Sequence, residues 1–148
     1  MDKYKIVNNS VIQIFNEYKI KDIPHKFLLV DDEPLLHLLF STYLVNLGAK
    51  KENIKSVNNG KECIEVENIH EYDVILLDIN MPLMNGFEAC DYLRHKLNYK
   101  GFIWAITGIY GLHDYDKAYD SGFNHITVKP VSVQDFVETF KLYKIELI

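Results

Sequence analysis

The sequence predicts one α/β domain built on a five-stranded parallel sheet with helices on both faces. Three observations predict it: five short apolar runs, helix-like segments between them, and polar residues where most of the runs end. Strands that alternate with helices form parallel sheets, because the crossover helices cover both faces. With 148 residues, of which 48% are hydrophobic, the chain can bury about two-thirds of its unfolded surface in a single core.

The elements are predicted from apolar runs and from residues that stop a helix. Pro34 suits the first turn of a helix, and Gly48 ends it. The predicted strands span residues 27–30, 54–57, 74–77, 102–106 and 126–128, and the predicted helices span residues 35–47, 61–67, 87–98, 113–121 and a segment after Ser132. With right-handed crossovers, the best topology is a doubly wound sheet in the order 2-1-3-4-5.

Residues 1–24 precede this pattern and are predicted to be an amphipathic helix followed by a linker. Apolar residues recur there at steps of three and four, and Pro24 prevents the helix from continuing into the first strand. The helix either packs on the domain's own surface, mediates dimerisation or partner docking, or is disordered. The chain is therefore divided into residues 1–24 and a domain of residues 25–148.

Composition excludes several classes of function. The formal charge of −5, from 16 basic and 21 acidic residues, with the basic residues scattered, argues against direct binding of nucleic acid. No apolar run approaches the ~20 residues of a membrane span, and no signal peptide is recognisable, so a cytoplasmic location is expected. Cys63 and Cys90 are interpreted as core residues, and the six histidines form no zinc-binding pattern.

Polar residues stand where four of the predicted strands end. Asp31 and Asp32 follow the first strand, and Asp78 follows the third. Thr107 and Lys129 follow the fourth and fifth strands. Because ligands of open parallel sheets bind beyond the carboxyl ends of the strands, these side chains are expected to meet at one edge. Each could instead cap a helix or end a strand, but five together indicate a site.

The segments VDDEP, LLDINMPLMNG, AITG and TVKP, in this order, resemble the receiver domain of two-component response regulators. The resemblance runs from about residue 26 to the end of the chain. It implies the flavodoxin-like (βα)5 fold and a phosphoprotein that acts in a phosphorelay. A histidine kinase or histidine phosphotransfer protein would supply the phosphoryl group, and Asp78 would accept it. No turnover of a separate substrate, and hence no enzyme in that sense, is expected.

Three acids crowded at one edge repel one another unless a cation intervenes, and Mg²⁺ (or Mn²⁺) suits carboxylate oxygens. The resemblance implies that Asp32 and Asp78 ligate the metal directly. It also implies that Asp31 acts through water and that Asn80 contributes its backbone carbonyl. Asn85 and Gly86, which tolerate left-handed dihedrals, are predicted to shape the turn after Asp78.

The remaining roles concern the bound phosphoryl group and the signal. By resemblance, Lys129, Thr107 and the N–H of Gly108 contact phosphoryl oxygens. An aromatic residue on the fifth strand usually takes part in the switch, but this sequence has Ile126 at that position. Signalling through altered contacts implies a downstream protein target or a fused output domain, and a homodimer is possible.

Two other functions are considered. The first is a receiver-like binding or dimerisation module that is not phosphorylated and works through its N-terminal helix. The complete set of five polar residues argues against it. The second is a phosphatase with an aspartyl-phosphate intermediate, which needs a second acid two residues beyond the nucleophile. Asn80 occupies that position.

Overall fold

The computed structural model describes residues 25–108 and 112–142, together with Ile14 and Glu17. The described strands are β1 (Phe27–Val30), β2 (Ile54–Val57), β3 (Val74–Asp78), β4 (Phe102–Thr107) and β5 (His125–Val128). The α-helices are α1 (Pro34–Asn46), α2 (Gly60–Ile64), α3 (Gly86–His95), α4 (Leu112–Ser121) and α5 (Val133–Leu142), and short 3-10 helices lie at Lys51–Asn53 and Ile69–Glu71.

All strand pairings are parallel, and the strand order is β2-β1-β3-β4-β5. This confirms the predicted doubly wound flavodoxin-like topology. The pairing places Asp78 opposite Ile106 of β4 and Thr107 opposite Val128 of β5. Because β3 is the central strand, Asp78 ends it with neighbouring strands on both sides.

The helices cover the two faces unequally, and strand residues alternate between them as the pleat requires. Phe27 and Leu29 of β1 join the core packed under α1 and α5, whereas Leu28 and Val30 join the core packed under α2, α3 and α4. Trp104 fills the α1/α5 side with no exposed surface, and its indole N–H donates to Thr127 Oγ1 at 2.9 Å. The inner strands β1, β3 and β4 are thus buried on both faces, which explains their apolar runs, whereas the edge strands β2 and β5 are partly exposed.

Two helices end earlier than predicted. α2 ends at Ile64 instead of residue 67, and a 3-10 helix follows after Asn68, which has a φ of 58°. α3 ends at His95 instead of residue 98, because Asn98 has a φ of 54° and the N–H of Tyr99 turns back to bond Leu93 O at 2.8 Å. At the end of α3, Asn98 takes the left-handed conformation that stops helical propagation. The left-handed Asn68 lies beyond the end of α2, directly before the 3-10 helix.

Arg94 joins three segments at the edge of the sheet opposite the strand ends. Its guanidinium donates to the carbonyl oxygens of Tyr99, Gly101 and Gly122 at 2.8–2.9 Å and to Asn124 Oδ1 at 2.7 Å. Burial lowers the pKa of this group, yet the four acceptors hold the charged form. The side chain therefore ties the end of α3 to the starts of β4 and β5.

Both cysteines are free and buried, which confirms their interpretation as core residues. Burial raises the pKa of the Cys63 thiol and of the Cys90 thiol to about 12. Reactive cysteines have lowered pKa values and are accessible, so neither thiol suits nucleophilic or redox chemistry.

The predicted helix and linker of residues 1–24 lie outside the described residues, except at two positions. Of these, Ile14 packs against the core on the α1/α5 side, and the interpretation of the whole segment stays a prediction. None of the helices in the described part of the chain has the length and hydropathy needed to cross a bilayer.

Candidate functional site

Backbone hydrogen bonds extend the sheet to the residues that follow its strands. The N–H of Asp31 donates to Val57 O at 3.2 Å, and that of Lys129 donates to Thr107 O at 2.7 Å. Asp78 and Thr107 are themselves the last residues of β3 and β4. The rigid sheet, and not a loop, therefore positions these four residues at one edge.

The ammonium group of Lys129 lies among three carboxylates at this edge. Its Nζ is 3.2 Å from Asp31 Oδ2, 3.6 Å from Asp78 Oδ2 and 3.7 Å from Glu33 Oε1. The Asp31 and Asp78 side chains are each only 4% exposed, whereas Glu33 is 62% exposed. The structure thus brings together Asp31, Asp78 and Lys129, three residues that are far apart in the sequence.

The carboxyl group of Asp78 binds its proton unusually tightly. Burial raises its pKa to about 6, and the negative charge of Asp31 adds to the effect, while Lys129 and the N–H of Asn80, 3.3 Å from Oδ1, act against it. Above this pKa the group is an ionised carboxylate enclosed by protein. Such a group is poorly solvated and has a cation next to it, as a nucleophile for group transfer requires.

Asp31 and Lys129 show the same competition between burial and pairing. Burial raises the pKa of Asp31, although the N–H of Glu33 donates to its Oδ1 at 2.9 Å. Burial lowers the pKa of Lys129, but the charges of Asp78 and Asp31 outweigh it, so the net shift is upward. Lys129 therefore stays charged at neutral pH.

An acidic cluster next to this pair offers oxygen ligands for a cation. Carboxylate oxygens of Asp31, Asp32 and Glu33 all lie within 4.8 Å of one another, with Asp31 buried and the other two exposed. Hard divalent cations such as Mg²⁺ prefer such oxygen donors, so these residues fit the metal that the family resemblance implies. Glu33 was not predicted from the sequence, although it is the third consecutive acid after β1 and directly precedes the helix-starting Pro34.

The loop after Asp78 is held by two close backbone approaches. A Cβ on Gly86 would lie 2.4 Å from Asp78 O, and a Cβ on Gly60 would lie 2.5 Å from Met84 O. The N–H of Gly60 also donates to Met84 O at 3.2 Å. Asn85 begins α3 with a capping box formed with Glu88. The segment that contains Asn80 is therefore packed against both the β3 backbone and the start of α2.

The other predicted site residues lie at the same edge or beside it. Thr107 is 1% exposed at the end of β4. Gly108 is exposed, and among the described residues nothing lies within 4 Å of the place a Cβ would take. Ile126 is half-buried and packs against the core on the α2/α3/α4 side. Their roles toward a phosphoryl group, and that of Asn80 toward a metal, stay predictions.

Comparison with known proteins identifies relatives in signalling systems. The hybrid signal transduction histidine kinase H of Dictyostelium discoideum is 35% identical over 112 residues, which are 74% of this chain and 8% of that protein. The transcriptional regulatory protein PdtaR of Mycobacterium tuberculosis is 25% identical over 81% of this chain and 57% of its own length. The chain thus spans less than two-thirds of either relative.

Solved structures and a family model agree with the fold. A Francisella response regulator 1452 receiver domain matches with a TM-score of 0.69 and 25% identity over 82% of this chain and 98% of that one. Chemotaxis response regulator CheY4 of Vibrio cholerae matches with a TM-score of 0.71 and 25% identity over 81% of this chain and 98% of that one. The model of the response regulator receiver domain matches residues 27–141. The chain belongs to the response regulator receiver domain family, as the four sequence segments indicated.

Proposed function

We propose that this protein is a phosphorylatable receiver. In this proposal Asp78 accepts a phosphoryl group from a phosphohistidine on a histidine kinase or phosphotransfer protein, in a Mg²⁺-dependent reaction. The observation that carries the proposal is the buried Asp78 carboxylate at the end of the central strand, 3.6 Å from the ammonium of Lys129 and beside an acidic cluster. A capping or packing role for Asp78 would require neither feature.

The transfer step exchanges one bond to phosphorus for another. An Asp78 carboxylate oxygen forms the new P–O bond while the donor's P–N bond breaks, and the imidazole leaves with the electron pair and takes a proton. Ionised Asp78 is the reactive form, so its raised pKa of about 6 leaves most of it reactive near pH 7. The product is an acyl phosphate.

Phosphoryl transfer depends mainly on positioning and on neutralising charge on the equatorial oxygens. Lys129 already lies within 3.6 Å of an Asp78 carboxylate oxygen, so a modest movement brings its ammonium to a phosphoryl oxygen. Asp32 and Asp78 would hold the Mg²⁺ directly, with the Asn80 backbone carbonyl as a further ligand and Asp31 acting through water. When bound, Mg²⁺ supplies further positive charge to the phosphoryl oxygens. The Thr107 hydroxyl and the Gly108 N–H donate to oxygens on the other side.

The acyl phosphate is also the signal in this proposal. A shift of Thr107 toward the phosphoryl group alters packing between β4 and β5, where Ile126 replaces the family's aromatic residue. A few kcal/mol of differential contact energy is enough to shift a two-state surface. A downstream protein or a fused output domain binds the altered surface. The receiver can also form a homodimer, and it acts in the cytoplasm. The protein turns over no separate substrate.

Intact mass measurement after incubation with Mg²⁺ and acetyl phosphate tests the proposal. The wild type should gain the mass of one phosphoryl group, whereas the isosteric variant Asp78→Asn should gain none. Removing Mg²⁺ with a chelator should abolish uptake by the wild type. No uptake by the wild type, with acetyl phosphate or with a phosphorylated phosphotransfer protein, would instead favour a binding module that keeps the fold without phosphorylation.

A further inference from the structure

Glu33 stands at the solvent side of the site, outside the residue set that the family resemblance assigns. Its side chain is 62% exposed, and its Oε1 lies 3.7 Å from Lys129 Nζ. Its carboxylate also lies within 4.8 Å of those of Asp31 and Asp32. Anything that approaches Asp78 from solvent along this side passes close to the negative charge of Glu33.

The position of Glu33 is fixed, but its carboxylate is not used by the helix that it precedes. Its N–H donates to Asp31 Oδ1 at 2.9 Å, and its carbonyl accepts the N–H of Leu36 at 3.0 Å. Its side chain makes no capping hydrogen bond with the described start of α1, where an N-cap side chain would normally bond. Helix capping therefore does not account for the acid.

The excess of negative charge at the solvent side of the site means that the Glu33 carboxylate repels approaching anions. Asp31, Asp32, Glu33 and Asp78 contribute four carboxylates around the ammonium of Lys129. Glu33 and Asp32 are the exposed acids, so they are least screened by protein from a solute outside. Repulsion between like charges grows in proportion to the charge on the approaching solute.

We propose that Glu33 is a specificity-determining residue that disfavours small phosphodonors in proportion to their negative charge. The site is thereby left to donors held by additional contacts, such as a phosphohistidine presented by a docked protein. The inference rests on the proposed function, since it concerns the choice of donor for the same Asp78 reaction. In that reaction an Asp78 oxygen forms the new P–O bond. The P–O bond of acetyl phosphate or the P–N bond of a phosphohistidine breaks, and its electron pair leaves with the acetate or the imidazole.

The test compares two small donors of different charge near pH 7: acetyl phosphate, a dianion, and phosphoramidate, a monoanion. A charge removed about 10 Å away in water should speed reaction about twofold for the monoanion and about fourfold for the dianion. We therefore expect Glu33→Gln to raise the second-order rate constant for acetyl phosphate about twice as much as that for phosphoramidate. At about 1 M salt both gains should nearly vanish.

Matched controls separate this effect from others. Glu67→Gln, an exposed acid on the α2–β3 connection, removes the same formal charge and should leave the ratio of the two rate constants unchanged. Each variant is assayed at Mg²⁺ concentrations shown by titration to saturate it. Glu33→Lys should raise the ratio further than Glu33→Gln does.

The outcomes distinguish this inference from the function on which it rests. If Glu33→Gln speeds both donors by the same factor, or changes neither, donor charge is not what Glu33 senses and the inference is overturned. If the gain for acetyl phosphate persists at high salt, the effect is not Coulombic and the inference also falls. If the wild type takes up phosphoryl groups neither from these donors nor from a phosphorylated phosphotransfer protein, the proposed function fails, and the inference fails with it.

Discussion

Replacing Asp78 with asparagine should stabilise the protein at neutral pH in the absence of divalent cations. The substitution keeps the shape of the side chain and an oxygen that can accept the N–H of Asn80, 3.3 Å away in the wild type. It removes the negative charge that burial and Asp31 disfavour. The stabilisation measures how much the ionised carboxylate at this position lowers the unfolding free energy of the wild type.

The magnitude follows from the shift in pKa. The fold raises the pKa of Asp78 from its ordinary 3.8 to about 6, which corresponds to about 3 kcal/mol between the protonated and ionised forms. The folded state binds the proton more tightly than the unfolded state, so the stability that the proton confers is present below pH 3.8 and is lost as the pH rises through about 6. At pH 7.5 the wild type has lost nearly all of it.

We therefore expect Asp78→Asn to unfold with a free energy about 2–3 kcal/mol higher than the wild type at about pH 7.5. The difference should fall below about 1 kcal/mol near pH 4, where Asp78 is protonated in the folded wild type and partly protonated in the unfolded state. Urea denaturation in a chelating buffer, followed by circular dichroism across this pH range, measures it. Asp116→Asn, at an exposed position on α4, is the control and should show no comparable gain.

Equal stability of Asp78→Asn and wild type at pH 7.5 would refute the reasoning. So would a gain that stays the same down to pH 4, because a pH-independent gain reflects packing and not ionisation. Saturating Mg²⁺ should narrow the difference at pH 7.5, since a cation that binds the carboxylates of the native state stabilises the wild type more.

Three further substitutions test other parts of the structure. Lys129→Ala should lower the unfolding free energy by about 2–4 kcal/mol at pH 7.5, because two buried carboxylates lose their cation. Urea denaturation at pH 7.5 and 5 should show part of this loss recovered at the lower pH. A variant that unfolds at the same urea concentration as the wild type at pH 7.5 would contradict the prediction. Gly60→Ala forces a Cβ to within 2.5 Å of Met84 O and should lower the unfolding free energy by about 1–3 kcal/mol. Gly108→Ala places its Cβ in open space and should melt within about a degree of the wild type. Equal melting temperatures for the two variants would show that the loop around Met84 moves to accommodate the Cβ. Arg94→Lys leaves several of the four acceptors unpaired and should lower the unfolding free energy, measured by thermal denaturation, by about 2–4 kcal/mol. A loss below about 1 kcal/mol would mean that water replaces the hydrogen bonds of the guanidinium.

The strands and their order could be predicted because their signals are local. A strand buried on both faces is an apolar run. All five predicted strands begin and end within one residue of the observed bounds, and β1 and β2 match at both ends. The polar residues after the strands could be predicted to meet, since parallel strands end at one edge. Helix ends were less predictable. The end of α3 depends on the left-handed Asn98, and α2 ends at Ile64 although no glycine or proline follows it directly.

The details of the site depend on direction and close approach, which the order of residues does not record. Asp31 and Asp32 are adjacent, yet the structure buries the first and exposes the second. Gly86 was predicted to supply a left-handed dihedral, but the left-handed residue in that loop is Leu83, with a φ of 69°. Gly86 is instead needed because its Cα approaches the backbone of Asp78. Likewise, the ion pair between Glu33 and Lys129 joins residues 96 positions apart.

The most direct test of the central claim is to locate the phosphoryl group. Borohydride reduces an aspartyl phosphate to homoserine, so the protein is incubated with Mg²⁺ and acetyl phosphate, reduced, digested and sequenced by mass spectrometry. Homoserine at position 78, absent when the phosphodonor is omitted, is the predicted result. Homoserine at position 31 or 32, or at none of the acids of a protein shown to be folded, would contradict the account.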